Sequence, residues 1–161
     1  MASIALKVSL LGDYGVGKTA YTQRLFTGHF PMKYVPTTEK SVACVPFRTN
    51  KGLIFLNFSE GTRGEDQNQP ADVYIIMFDV GRDDTYKNLE KWLKIIPQNS
   101  LVIVCGNKVD LKQRTVHPKD IRFPLENGLE YFDISAKVRY NLDKPVLCLL
   151  RKVFGEDLMI L

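Results

Sequence analysis

The chain has 161 residues, enough for one domain with a normal core, and its 45% hydrophobic and 25% charged content is that of a soluble globular protein. The net charge of +4 is mildly basic, but no Lys/Arg block resembles a nucleic-acid arm, so direct DNA or RNA binding is not expected. There is no signal peptide and no 20-residue apolar span.

Short apolar runs alternate with longer amphipathic segments, predicting an α/β domain over residues 1–161. The sheet has about six strands, mostly parallel with one antiparallel, and helices flank it. The first strand is Leu6–Leu11, followed by the glycine-rich stretch Gly12 to Thr19 and a helix over Lys18–Thr27. Strands Ser41–Phe47 and Leu53–Phe58 follow, with Asn50-Lys51-Gly52 reading as a hairpin turn that makes the pair antiparallel. Ser59 to Pro70 is polar throughout and lacks helical apolar spacing, which predicts a mobile loop. Next come a strand at Val73–Phe78, a helix at Thr85–Ile96 and a strand at Leu101–Cys105. A short turn of helix is expected after Pro118, then a strand at Leu129–Ile134 and a helix at Lys144–Phe154. In that last helix Asp143 suits the cap, Pro145 the first turn and Gly155 the exit. Cys44, Cys105 and Cys148 are odd in number, widely spaced and set among apolar residues, so buried reduced thiols are expected, which suits cytosol or nucleus.

Two constellations carry chemistry. Gly12-Asp13-Tyr14-Gly15-Val16-Gly17-Lys18-Thr19 fits G-x-x-x-x-G-K-[ST] at every fixed position, between a strand and a helix. Such a P-loop turns successive N–H groups and a helix N-terminus toward phosphates. Lys18 then reaches the β- and γ-phosphates, and the Thr19 hydroxyl ligates Mg²⁺. The second is Asn107-Lys108-Val109-Asp110, at the carboxyl end of a buried strand where open α/β sheets bind ligands. A carboxylate there accepts from the guanine ring N–H and exocyclic amino group together, a donor pair adenine lacks, so Asp110 selects guanine. Lys108 can lie flat on the base and Asn107 can tie this loop to the phosphate loop. Ser135-Ala136-Lys137 adds a third loop whose N–H groups can meet the guanine oxygen.

These residues, in this order, resemble the Ras-like small GTPases over nearly the whole chain, and within them most of all the Ran-like nuclear-transport GTPases. The likeness rests on Thr27-Gly28-His29-Phe30, Lys33-Tyr34-Val35-Pro36-Thr37 and Phe47-Arg48-Thr49-Asn50-Lys51-Gly52. It continues through Tyr74 to Val80, Thr85-Tyr86-Lys87-Asn88, Val104 to Asp110 and Tyr131 to Lys137. The resemblance implies GTP or GDP as ligand with Mg²⁺, held by Thr19 and by the switch I residue Thr37, or Thr38 if the register slips by one. It implies Phe30 edge-on to guanine and Tyr34 folded across the phosphates. It also implies a monomer in nucleus and cytoplasm, with importin- or exportin-type receptors or Ran-binding regulators as partners. No lipidation site is expected, since Met1-Ala2-Ser3 lacks glycine and Leu158 to Leu161 lacks cysteine. Ran-like proteins share that feature.

Four departures narrow the expectation. The family's D-x-x-G-Q after the third strand is missing. Counting from Gly52 puts its aspartate at Glu60, its glycine at Arg63 and its glutamine at Gly64. Keeping the glycine at Gly61 puts Phe58 and Thr62 at the other two places. Glu60, Gln67 and Gln69 are left as weak candidates for a catalytic role, and the following stretch is too short for most of the switch II helix. Tyr14 stands where most relatives carry glycine, crowding the γ-phosphate and obstructing both a water-positioning glutamine and an arginine finger. Finally, Pro124-Leu125-Glu126-Asn127 replaces a basic run of Ran-like proteins, and a chain without their acidic C-terminal extension is expected. The expectation is a GTP-holding protein that hydrolyses poorly. Its rivals are a competent GTPase with a remodelled loop and an interaction module that no longer binds nucleotide.

Overall fold

The computed structural model describes residues 3–29, 42–61 and 71–161, and these form one six-stranded sheet flanked by helices. Its strands are β1 (Ile4–Leu11), β2 (Val42–Thr49), β3 (Gly52–Gly61), β4 (Val73–Asp79), β5 (Leu101–Asn107) and β6 (Glu130–Asp133). The helices are α1 (Lys18–His29), α2 (Asp83–Lys87), α3 (Leu89–Ile95), α4 (Phe123–Glu126) and α5 (Asp143–Phe154). The strand order is β2-β3-β1-β4-β5-β6, and of the strand pairs only β2 with β3 is antiparallel.

Alternation of side chains across β4 sets up two cores, because successive residues of a strand point to opposite faces. Val73, Ile75 and Met77 join Tyr21 and Leu25 of α1 and Val146, Leu149 and Leu150 of α5. Tyr74, Ile76 and Phe78 face the other way, toward Leu89, Ile96 and Val116. All seven residues of β4 are buried, as a parallel strand covered on both faces must be. Each large side chain buried in this way contributes about 1.5–3 kcal/mol. The Tyr21 hydroxyl, deep in the first core, donates to Leu142 O at 2.9 Å and ties α1 to the start of α5.

The register brings the functional loops to one edge. Leu11 of β1 lies opposite Gly61 of β3, and Asp79 of β4 lies opposite Asn107 of β5. β3 and β4 thus flank the strand that delivers Gly12 to Thr19, and ligands of open parallel sheets bind at such carboxyl ends.

Several expectations need correction. Ser59, Glu60 and Gly61 belong to β3 and not to a loop, because parallel pairing with Ser9, Leu10 and Leu11 carries the polar residues on as strand. Residues 62–70, the rest of that predicted loop, lie outside the described residues. The helix expected at Thr85–Ile96 starts at Asp83 and divides at Asn88, where φ −79° and ψ −5° flatten the turn and the side chain is drawn to Asp13. β5 runs on through Gly106 to Asn107, so Asn107 ends the strand and does not follow it. Asp143 is the first residue of α5 rather than its cap. Pro145 and Gly155 stand in the first turn and at the exit as expected. Pro118–Asp120 forms the expected short turn, of 3-10 type, while α4 was not foreseen. Cys105 is buried, but Cys148 is half-buried and Cys44 is exposed. Cys44 points outward because Ala43, Val45 and Phe47 occupy the covered face of β2, which is an edge strand. All three are free thiols; burial pushes the Cys105 and Cys148 thiols up from their ordinary value, and partial desolvation acts in the same direction on the exposed Cys44.

Candidate nucleotide site

The phosphate loop is braced by side chains at and just after the ends of β4 and β5 and by two from the α2–α3 segment. Asn107, buried at the end of β5, donates from Nδ2 to Val16 O at 2.9 Å. Its Oδ1 accepts from Lys108 N at 2.8 Å and Ala136 N at 3.1 Å, so one side chain joins all three loops. Gly17 has φ +106°, and a Cβ there would run into Asn107 Nδ2. Lys108 reaches Gly15 O at 2.9 Å and also pairs with Asp79 Oδ2 at 2.9 Å. Asp79 is buried and serves a second cation, Arg82, whose Nε lies 3.3 Å from the same oxygen. Arg82 Nη2 in turn donates to Tyr14 O at 2.8 Å. On the same side Asp13 accepts from Asn88 Nδ2 at 2.6 Å and Trp92 Nε1 at 2.9 Å. The Asp13 carboxylate is thereby turned away from the concavity of the loop, which leaves its backbone as the part able to meet an anion.

Lys18 is buried and donates to the carbonyls of Gly12 and Asp13. Burial pushes this ammonium below the ordinary lysine range, while the carboxylates of Glu60 and Asp13 act in the opposite sense. A desolvated cation among main-chain dipoles gains strongly from an incoming phosphate. Tyr14, at the apex, has its side chain 89% exposed.

A second cavity of about 350 Å³ opens beside the loop, lined in part by Gly17, Asn107, Lys108, Asp110, Ala136 and Lys137. Ser135 Oγ donates to Asp110 Oδ1 at 2.6 Å and accepts from Val138 N at 3.2 Å, which fixes the carboxylate in the wall. Two of the three backbone N–H groups expected to meet the guanine oxygen, those of Ser135 and Ala136, donate within the protein. Ser135 N–H donates to Tyr140 O and Ala136 N–H to Asn107 Oδ1, because the β6–α5 turn and the Asn107 clamp use them internally.

On the other flank Thr19 Oγ1 donates to the Glu60 carboxylate, 2.8 and 2.9 Å from its two oxygens. This is an all-oxygen pair suited to a hard divalent cation such as Mg²⁺. Among the described residues no three of His, Cys, Asp or Glu gather, so a cation here would also draw on phosphate and water oxygens.

The protein-family model described as "Ras family" matches residues 7–155, nearly the whole chain and every loop described above. The chain belongs to the Ras family. It is therefore a GTP-binding small GTPase by family, and Ras-family GTPases in general bind guanine nucleotide with Mg²⁺. The residues present fit both groups: Thr19 with Glu60 on the metal side, and Asn107, Lys108 and Asp110 round a cavity with room for a base.

Of the sequence-predicted site residues, Asp13 to Thr19, Asn107, Lys108, Asp110 and Ser135 to Lys137 converge at this edge, and Glu60 joins them. Phe30, Tyr34, Thr37, Thr38, Gln67 and Gln69 lie outside the described residues. Four contributors were missed, namely Asp79, Arg82, Asn88 and Trp92. Asp79 had a usable signal, a charge closing an otherwise apolar run; Trp92 is the single tryptophan of the chain.

Proposed function

We propose that this Ras-family protein is Ran-like, holds GTP or GDP with Mg²⁺, hydrolyses GTP poorly, and acts through the surface of its GTP-bound form. Its partners are nuclear-transport-type receptors or Ran-binding regulators, in nucleus and cytoplasm. The Ran-like part rests on the sequence stretches quoted above, from Thr27-Gly28-His29-Phe30 to Tyr131 through Lys137. In this reading Lys18 meets the phosphates, Thr19 is a Mg²⁺ ligand, Glu60 holds a Mg²⁺-bound water, and Asp110 selects guanine. Thr37 completes the metal shell, and Phe30 and Tyr34 close over the nucleotide.

The observation that carries the reading is the pairing of an intact, braced phosphate loop with Glu60 as the acid beside Thr19. Glu60 stands where the family's D-x-x-G-Q has its aspartate, so an acid remains on the metal side, while neither register puts an amide at the glutamine position, where Gly64 or Thr62 stands. Metal and phosphate binding therefore keep their groups, and turnover lacks its usual water-orienting amide. Single-turnover hydrolysis on GTP-loaded protein tests this. A rate matching ordinary small GTPases, or strong stimulation by a Ran-type activating protein, would sink it. The proximity of Glu60 to Thr19 also supports the rival of a competent GTPase, which requires turnover to fall in Glu60→Gln, Gln67→Ala or Gln69→Ala.

A further inference from the structure

Three successive carbonyls of the phosphate loop are each held by a different side chain. Tyr14 O accepts from Arg82 Nη2 at 2.8 Å, Gly15 O from Lys108 Nζ at 2.9 Å, and Val16 O from Asn107 Nδ2 at 2.9 Å. In a trans peptide the C=O and the following N–H point in opposite directions, and the described residues contain no cis bond. Pulling a carbonyl outward therefore aims the next N–H inward. For the middle peptide the inward group, Val16 N–H, makes only a long contact of 3.4 Å with Asp13 O. For the first, no acceptor among the described residues meets Gly15 N–H.

We propose that Arg82 is a positioning residue for phosphate binding, which fixes the Tyr14–Gly15 peptide so that Gly15 N–H faces the bound phosphates. Two donor nitrogens of one planar guanidinium do this. Nε is anchored on Asp79 and Nη2 reaches Tyr14 O. Asp79 is itself locked, with Oδ1 accepting from Gly81 N at 2.8 Å and Oδ2 shared with Lys108. A lysine at position 82 would keep the charge but could not span both partners, since an ammonium is a point donor and not a fork. The brace also holds the residue that departs from the family's usual glycine, at its backbone and not its side chain.

This inference rests on the reading that a guanine nucleotide occupies the loop, and the experiment separates the two. Dissociation of fluorescent GDP is measured from the parent chain, Arg82→Ala and Arg82→Lys, together with competition by GMP and by guanosine. Loss of one charge-assisted hydrogen bond predicts roughly a tenfold to hundredfold faster GDP release in Arg82→Ala. Arg82→Lys should behave similarly, and guanosine affinity should be unchanged, because the base cavity is untouched. Equal losses for GDP and guanosine, full rescue by lysine, or unchanged release would each overturn the proposal. A parent chain that binds no GDP would overturn the nucleotide reading itself. ¹⁵N relaxation of the nucleotide-free chain then still decides whether Arg82 fixes the peptide. Added motion at the Gly15 amide in Arg82→Ala, with the Gly128 amide as internal reference, is expected; unaltered relaxation at Gly15 refutes it.

Discussion

Replacing Gly17 by alanine should cost far more than an ordinary glycine substitution, because two penalties coincide there. The backbone at Gly17 has φ +106°, a conformation that strains a residue with a Cβ by about 1–3 kcal/mol. The new methyl group would also collide with Asn107 Nδ2. Asn107 is buried and makes three hydrogen bonds, to Val16 O, Lys108 N and Ala136 N. At about 1 kcal/mol net for each bond, with part of the set surviving, displacement adds roughly 2 kcal/mol. The total of about 3–5 kcal/mol corresponds to a melting temperature lower by about 6–20 °C in a domain of this size. Gly128→Ala supplies the control. Its φ is +66° but a Cβ there meets nothing within 4 Å, so the conformational cost stands alone. That cost is about 1 kcal/mol, or a shift of about 2–4 °C. Thermal unfolding by circular dichroism, without added nucleotide, compares the two variants with the parent chain. A Gly17→Ala shift no larger than that of Gly128→Ala would refute the claim that Asn107 and Gly17 are packed as one unit.

Asp110→Ala should weaken guanine nucleotide binding by about tenfold to hundredfold and abolish preference over adenine nucleotides, read by competition of GTP and ATP against fluorescent GDP. Equal preference in the parent chain would contradict the role given to Asp110. Glu60→Ala should shrink the ratio of nucleotide release rates with EDTA and with Mg²⁺ by about tenfold, since the carboxylate beside Thr19 is removed. An unchanged ratio would place the metal elsewhere. Burial pushes the Cys105 thiol and the Tyr131 hydroxyl above their ordinary values of 9.0 and 10.0. In that range the folded chain binds more protons than the unfolded chain, so stability is full below about pH 9 and falls as pH rises beyond it. Urea midpoints across neutral to alkaline pH should show this slope, and a flat profile would contradict the burial of these groups.

Much of the site was legible because its residues obey local rules. A P-loop needs glycines and a cation at fixed spacing, and Gly12 to Thr19 supply them whatever the rest of the chain does. Asn107 and Asp110 could be placed because they lie at the end of an apolar run, where the strand itself dictates position. What escaped was set by pairing across the sheet. Ser59, Glu60 and Gly61 look like loop residues in composition, yet the backbone of β1 extends alongside them and makes them strand. The Arg82 contact depends on a turn after β4 that lays its guanidinium behind a loop 68 positions earlier, and no periodicity reports that. Cys44 was misread for a different reason. Apolar neighbours suggest burial, but the alternation of Ala43, Val45 and Phe47 with Cys44, Pro46 and Arg48 is what decides the face.

Position 14 shows why an unusual residue need not be a structural defect. Tyr14 is absent from the residues with positive φ, so a side chain here imposes no backbone strain of the kind that Gly17 would suffer. Its carbonyl is held by Arg82 and its ring stands in solvent. The backbone at this apex therefore does not require glycine. In the proposed reading, Tyr14 leaves the loop that binds undisturbed and bears on access to the γ-phosphate. Glu60 likewise keeps an acid beside Thr19. In the proposed reading, Tyr14 and the loss of the family's glutamine act on the step after binding. Restoring glycine at position 14 should therefore leave GDP release within about twofold of the parent chain, since the brace acts on the backbone. If Tyr14→Gly instead accelerates release as much as Arg82→Ala, the ring and not the carbonyl is what holds the nucleotide.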